Sequence, residues 1–248
     1  MAPVLYSCSL FTIYTYGVFV AVAFLAATWL ITRHAVRLGF DPEVIGNFLI
    51  FALVCGILSA RIFYVVLNWS EFSPDPLEIV RLYHGGLVWY GGLIGAMLCG
   101  VLFLKKKHLS IPAVADLCAP YLALAQAIGR IGCFFNGCCY GKPSVHGLFF
   151  PAHGRVLFPS QIVDALSLLL VYAVLRLIRG QKPGQLFGLY LFLAALQRFL
   201  MEFLRGDERL FYGGLSIYQW ISLGLAVAGI LVYTLASAGP KKPSTKNA

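Results

Sequence analysis

Charged residues are scarce in this chain of 248 residues. Only 12% of the sequence is Asp, Glu, Lys or Arg, whereas 60% is hydrophobic. A soluble domain of this length carries about 25% charged residues. The polar surface that would cover a soluble core is therefore missing, and the composition indicates an integral membrane protein.

Acidic residues are the scarcest of the charged types. The chain has 10 Asp and Glu against 19 Lys and Arg, which gives a net charge of +9. A basic balance suits either nucleic acid or a membrane surface. The basic residues occur in short runs between apolar segments, such as RHAVR at 33–37 and KKKH at 105–108. They lack the broad basic face with interleaved aromatic residues that binds nucleic acid. We therefore predict a lipid bilayer as partner and no nucleic acid.

Long apolar runs are abundant, and about 20 such residues in succession are typical of a transmembrane helix. Seven runs meet this criterion: 11–32, 44–67, 86–104, 113–134, 159–178, 186–204 and 216–237. The first has no short apolar core followed by a small-residue cleavage site, so we expect a retained helix. The predicted fold is an all-α polytopic membrane protein with seven transmembrane helices. We expect one domain over 1–238 and a disordered basic cytoplasmic tail over 239–248.

Positive charge is unevenly divided between the two sets of loops. Eleven Lys and Arg lie in 33–42, 105–111, 176–184 and 238–248, and the other loops hold five: Arg81, Lys142, Arg155, Arg205 and Arg209. Cytoplasmic loops carry the excess of basic residues. The amino terminus is therefore predicted to be periplasmic and the carboxyl terminus cytoplasmic.

Three arginines fall within predicted spans or at their ends. Arg61, Arg130 and Arg198 lie toward the outer ends of spans two, four and six. Because an arginine facing lipid costs about 2.5–3.5 kcal/mol at a helix centre, these three should face a hydrated interior. Each could pair with Asp164 or Glu202 and lock helices together, or snorkel to the headgroups. Together they would suit a lipid phosphate, since the guanidinium fork binds phosphate oxygens bidentately.

Glycine and cysteine each mark one further segment. In HGGLVWYGGLIGA (84–96), Gly91 and Gly95 form a small-xxx-small pair that allows close helix packing. The cysteines of GRIGCFFNGCCYG (129–141) cluster on the predicted oxidising side, whereas Cys55, Cys99 and Cys118 are isolated small hydrophobic residues. One disulfide in the cluster and a thiol-redox role stay open. No metal site is predicted, because no further ligand can be placed beside these cysteines.

Six segments together resemble the bacterial prolipoprotein diacylglyceryl transferases, in a branch with a cysteine-rich signature. These segments are YTYG (14–17), SARIFYVVLN (59–68), HGGLVWYGGLIG (84–95), GRIGCFFNGCCYG (129–141), FPSQIVDA (158–165) and QRFLMEFLRGD (197–207). The resemblance implies a multi-pass enzyme of the bacterial inner membrane without a cofactor. It would transfer diacylglyceryl from phosphatidylglycerol to the lipobox cysteine of a preprolipoprotein, leaving a thioether and releasing glycerol phosphate.

The resemblance also implies roles for individual residues. Arg130 and Arg198 match the family's two essential arginines. Arg130 is also expected to bind substrate. The resemblance implies the same role for seven further residues: Tyr16, Arg61, Asn136, Gly137, Gly141, Glu202 and Arg205.

The chain departs from the family pattern at two positions, since Tyr90 and Cys133 stand where many members have histidine and asparagine. We expect Tyr90 to donate a hydrogen bond to phosphate or ester, because a phenol is a poor base at neutral pH. His84 is the nearby side chain of the type that exchanges protons near neutral pH. The two arginines would stabilise the leaving phosphate, and the base would then be dispensable.

Other functions remain as alternatives at this point. A family paralogue could act on another acceptor or only bind lipid, and a membrane thiol oxidoreductase would use Cys133 with Cys138 or Cys139. A transporter is disfavoured, because the halves show no inverted repeat.

Overall fold

The computed structural model describes residues 1–8, 12–81, 85–178, 181–207 and 209–238. Eight α-helices lie in this part of the chain: α1 (Thr15–Arg37), α2 (Pro42–Leu67), the short α3 (Trp69–Phe72), α4 (Trp89–Lys106), α5 (Ile111–Asn136), α6 (Ser160–Leu177), α7 (Gln185–Met201) and α8 (Ile217–Ala238). Six segments are long and apolar enough to cross a membrane, namely α1, α2, α5, α6, α8 and Gln185–Leu204, which contains α7. A mostly helical, polytopic membrane protein is thereby confirmed.

Helix α4 corresponds to the third predicted span, 86–104, but does not belong to these six. It has 18 residues, of which four are glycines and two are the terminal Lys105 and Lys106, so its apolar content is lower. Six of the seven predicted spans therefore have the length and composition of a membrane-crossing helix.

The prediction of an all-α chain was wrong in detail, because three short antiparallel hairpins lie between the helices. They pair β1 (Val4–Ser7) with β2 (Thr12–Tyr14), β3 (Pro143–Phe150) with β4 (Arg155–Leu157), and β5 (Phe211–Tyr212) with β6 (Leu215–Ser216). Strands of two to eight residues in loops leave no trace in a pattern of apolar runs. The predicted tail, 239–248, lies outside the described residues.

The chain divides into two compact units, one of which is Thr32–Val114. Its helices α2 and α4 pack closely at glycines. A Cβ added at Gly91 would lie 2.6 Å from Cβ of Phe63, and one added at Gly95 would overlap the Ser59 hydroxyl. Close packing at this pair of glycines is thus confirmed, since neither position has space for a side chain.

The other unit contains Met1–Ile31 and Ala115–Ala248. Its buried core joins α5, α6 and α7 through Ala119, Ala123, Val171, Leu175 and Tyr190. The two alanines leave space beside α5, and the larger side chains of α6 and α7 fill it.

Polar contacts fix the start of α7 in the same unit. The carboxylate of Asp116, on α5, accepts hydrogen bonds from the backbone N–H groups of Gly184 and Phe187, each at 2.7 Å. These are first-turn donors without a partner inside the helix, so Asp116 caps α7 from another helix.

Candidate functional site

Arg130 lies near the end of α5 and is held by a carboxylate from α6. Its Nε is 2.9 Å from Oδ2 of Asp164, whose side chain is only 4% exposed. Asp164 also accepts a hydrogen bond from Nε2 of Gln197 at 2.5 Å. The terminal nitrogens of Arg130 have no partner among the described residues. The guanidinium is therefore oriented through one edge, and its fork remains available.

Arg198 lies one helical turn before its own partner, Glu202. Its Nη2 is 2.8 Å from Oε2 of Glu202, and Oε1 of Glu202 accepts a hydrogen bond from the Ser216 hydroxyl at 2.8 Å. The Nη1 atom of Arg198 is buried and has no hydrogen-bond partner in the described part of the chain. A buried cationic donor without an acceptor is costly unless a ligand supplies one.

Two further arginines follow α7. Arg205 binds Asp207 bidentately, with Nε–Oδ1 and Nη2–Oδ2 distances of 2.9 and 2.8 Å, and Nη2 of Arg209 donates to the same carboxylate at 2.7 Å. Burial alone would raise the pKa of Asp207, but the hydrogen bonds from these guanidiniums outweigh it and hold that pKa below its usual value. Asp207 is thus a fixed anion between two cations.

The four guanidiniums form one electrostatic group, because the positive charges of Arg130, Arg205 and Arg209 each repel the charge of Arg198. The carboxylates that pair with them number three: Asp164, Glu202 and Asp207. Four positive charges against three negative ones leave one cation uncompensated among these seven side chains. The group therefore favours binding of an anion.

The end of the signature segment is fixed to the region that follows α7. Gly141 pairs with Arg205 as an isolated β-bridge, and the N–H of Gly206 donates to the carbonyl of Tyr140 at 3.1 Å. A Cβ at Gly141 would lie 2.7 Å from the carbonyl oxygen of Phe158, so only glycine fits there. This contact ties the GRIGCFFNGCCYG segment to the arginines after α7.

Asn136 is the last residue of α5, and Gly137 follows with a φ of +77°. The positive φ turns the chain sharply at the helix end, as glycine permits. Tyr16, in the first turn of α1, lies within electrostatic range of Arg130 and of the three cysteines of the segment. The structure therefore brings together most of the residues predicted for the site.

Two predicted site residues lie in the unit Thr32–Val114. Arg61 is 5% exposed, and its nitrogens donate to backbone carbonyls, among them Ile79 at 2.9 Å and Gly85 at 2.7 Å. The guanidinium of Arg61 therefore fixes the backbone at Ile79 and Gly85. Tyr90 is 55% exposed in the first turn of α4, against the ring of Trp89. His84 lies outside the described residues.

Sequence reasoning missed the contributions of Arg209 and Tyr218. Arg209 was counted only as a loop charge, yet its guanidinium lies 4.5 Å from the centre of the Tyr218 ring, and that of Arg198 lies at 5.2 Å. The dense charges of RGDER (205–209) were the available signal, because opposite charges this close in sequence readily form a network.

The fold and the arginine cluster together define a polytopic membrane protein with a cationic site at the ends of its helices. The family model described as prolipoprotein diacylglyceryl transferase matches residues 3–235. The chain belongs to this family.

Individual relatives agree with the family match over most of the chain. The phosphatidylglycerol–prolipoprotein diacylglyceryl transferase of Clostridium tetani is 35% identical over 95% of this chain and 98% of its own length. The protein of Clostridium perfringens with the same name and the number 2 is 34% identical, over 90% of this chain and 91% of its own. The Bacillus cereus enzyme is also 34% identical, over 89% and 87%.

Proposed function

We propose that this chain transfers the diacylglyceryl group of phosphatidylglycerol to the lipobox cysteine thiol of preprolipoproteins. The relatives named above carry the name of this activity. The observation that carries the proposal is the unpartnered, buried Nη1 of Arg198, within electrostatic range of the available fork of Arg130. Two such donors suit the oxygens of one lipid phosphate.

In the proposed reaction the acceptor sulfur attacks the glycerol carbon that carries the phosphate. A carbon–sulfur bond forms, the carbon–oxygen bond to the phosphate breaks, and glycerol phosphate leaves with the bonding electrons. The thiol proton passes to the departing phosphate or to water. Negative charge therefore accumulates on the leaving group, and Arg130 and Arg198 stabilise it there.

The carboxylates act by position in this proposal. Asp164 pairs with Nε of Arg130, and Glu202 pairs with Nη2 of Arg198. These ion pairs fix the orientation of both guanidiniums, so binding the phosphate requires little reorientation of either side chain. The surplus positive charge of the cluster also favours the acceptor thiolate. Since a free cysteine has a pKa near 8.5, forming its thiolate at pH 7 costs about 2 kcal/mol, which a nearby arginine can supply.

The other predicted residues take supporting parts. Tyr16, Asn136, Gly137, Gly141, Glu202 and Arg205 would line the substrate site. Tyr90 would donate a hydrogen bond to phosphate or ester, and His84 would accept the thiol proton where a base is used. The contacts of Arg61 with the backbone carbonyls of Glu78, Gly85 and Gly86 support a role in holding the chain there rather than in touching lipid.

We also propose that α4 completes a set of seven membrane spans in the bacterial inner membrane. The division of eleven basic residues against five supports a periplasmic amino terminus and a cytoplasmic carboxyl terminus. The arginine cluster would then lie toward the periplasmic side.

The decisive experiment combines purified protein, phosphatidylglycerol and a lipobox peptide, followed by mass spectrometry of the peptide. We expect the peptide mass to increase by one diacylglyceryl group. A matched peptide with serine in place of the cysteine should gain nothing. Active, folded protein that oxidises the peptide thiol without adding lipid would favour the oxidoreductase alternative and contradict the proposal.

A further inference from the structure

Three cysteine sulfurs converge at the end of α5. The Sγ atoms of Cys133, Cys138 and Cys139 all lie within 4.8 Å of one another. Neighbouring residues in an extended chain point to opposite sides. Here Gly137 and Cys139 have φ values of +77° and +61°, and this turn directs both adjacent thiols toward Cys133.

Buried side chains at the start of α6 hold this arrangement from behind. Nε2 of Gln161 donates to the carbonyl of Cys138 at 2.6 Å, and the Ser160 hydroxyl donates to the carbonyl of Cys139 at 2.9 Å. The N–H of Cys138 also donates to the carbonyl of Cys133 at 3.2 Å. These bonds hold the backbone of Cys138 and Cys139, and with it the positions from which their thiols extend.

The positively charged guanidinium of Arg205 can balance negative charge on the sulfurs. Arg205, held by Asp207, lies within electrostatic range of the Cys139 thiol. Arg205 can therefore offset part of the negative charge that thiolates would bring to this site.

We propose that Cys133, Cys138 and Cys139 form a three-thiolate site for a thiophilic d10 cation, Zn²⁺ or Cu⁺. Soft thiolates select such ions. Tetrahedral zinc with bonds of about 2.3 Å needs sulfurs about 3.8 Å apart, which is within the observed limit. Three thiolates exceed the charge of either ion, and Arg205 offsets part of the excess. The ion would tie the end of α5 to the segment that carries Gly141, a structural role separate from the transfer reaction.

The test uses the full chain, purified in detergent under reducing conditions and freed of metal with a chelator. It is then loaded with Zn²⁺ or, without oxygen, with Cu⁺, and desalted before elemental analysis. We expect one ion per chain in the wild type and a higher melting temperature after loading. Titration with Co²⁺ should give thiolate-to-cobalt charge-transfer absorption.

Matched variants separate the cluster from cysteine in general. Cys118→Ala removes a buried thiol from the same helix, outside the cluster, and should bind metal like the wild type. Serine at all three cluster positions should abolish binding and the cobalt absorption. Because the readout is metal content, it does not depend on transferase activity.

Either of two results would overturn the proposal. One is wild-type protein whose three cluster thiols react freely after reduction but which retains neither cation. The other is a triple-serine variant that retains as much metal as the wild type.

Discussion

At the scale of single residues, Arg130 and Arg198 differ in which guanidinium nitrogens their carboxylate partners leave without a hydrogen bond. Asp164 takes the Nε edge of Arg130, so both terminal nitrogens stay available, whereas Glu202 takes Nη2 of Arg198 and leaves Nη1. In the proposed reaction the first arginine would bind the phosphate with two parallel hydrogen bonds, and the second would add one more.

Arg130→Lys is expected to lower diacylglyceryl transfer on the order of 10²-fold or more, the effect of losing one preorganised donor to the transition state. Lysine keeps the positive charge but loses the planar fork, and its single ammonium would pair with Asp164. Transfer to a lipobox peptide measures the loss, with melting temperature in detergent as the check on folding. Arg37→Lys, at an exposed position of α1, should leave transfer unchanged. A folded Arg130→Lys protein with wild-type turnover would make Arg130 structural.

Asp164→Asn should lower both stability and transfer. The change keeps the shape of the side chain but leaves a partly buried guanidinium without its counter-charge. Because Arg130 is about one quarter exposed, we expect a loss of about 1–3 kcal/mol, less than for a fully buried pair. Denaturant unfolding in detergent micelles measures it.

The matched control for this change is Asp75→Asn. Asp75 pairs with Arg81 but is 54% exposed, and asparagine keeps its cap on the N–H of Leu77. Its cost should therefore be about 0–1 kcal/mol. Equal losses at positions 75 and 164 would mean that the Arg130 pair contributes no more than a surface contact.

At the scale of elements, α7 and α8 touch through their backbones at glycines. A Cβ at Gly229 would lie 2.7 Å from the backbone nitrogen of Phe192, whereas one at Gly224, on the same helix, meets nothing within 4 Å. Gly229→Ala should therefore cost about 1–3 kcal/mol through overpacking. Gly224→Ala should be neutral or stabilising by up to about 1 kcal/mol. Melting temperatures of the two variants test this, and an equal response would contradict the close contact.

Helices were predictable from the sequence to within a few residues, because a membrane span needs an unbroken apolar run. The predicted span 44–67 became Pro42–Leu67, and 113–134 became Ile111–Asn136. The hairpins were not predictable in this way, since short strands form in loops through local pairing. In the site, the position of Arg130 at a helix end followed from GRIGC, and the sequence offered both Asp164 and Glu202 as its partner without deciding between them. That contact depends on how two helices are rotated about their axes.

At the scale of the whole molecule, the proposed orientation places Lys107 in the cytoplasm and the hairpin β3–β4 in the periplasm. Lys107→Cys should react with membrane-impermeant thiol reagents only after the membrane is opened. Val145→Cys, at a position that is 94% exposed, should react in intact cells whose outer layer is permeable to the reagent. The reverse pattern would invert the topology and move the arginine cluster to the other side.

The Arg130–Asp164 pair also bears on the order in which the protein is made. Asp164 follows Arg130 by 34 positions (164 minus 130). During translation Arg130 is synthesised before α6, which begins at Ser160. In that interval the unfavourable insertion energy of Arg130 falls on α5 alone. Synthesis of α6 supplies the counter-charge, so the two helices enter the lipid more favourably as a pair than in succession.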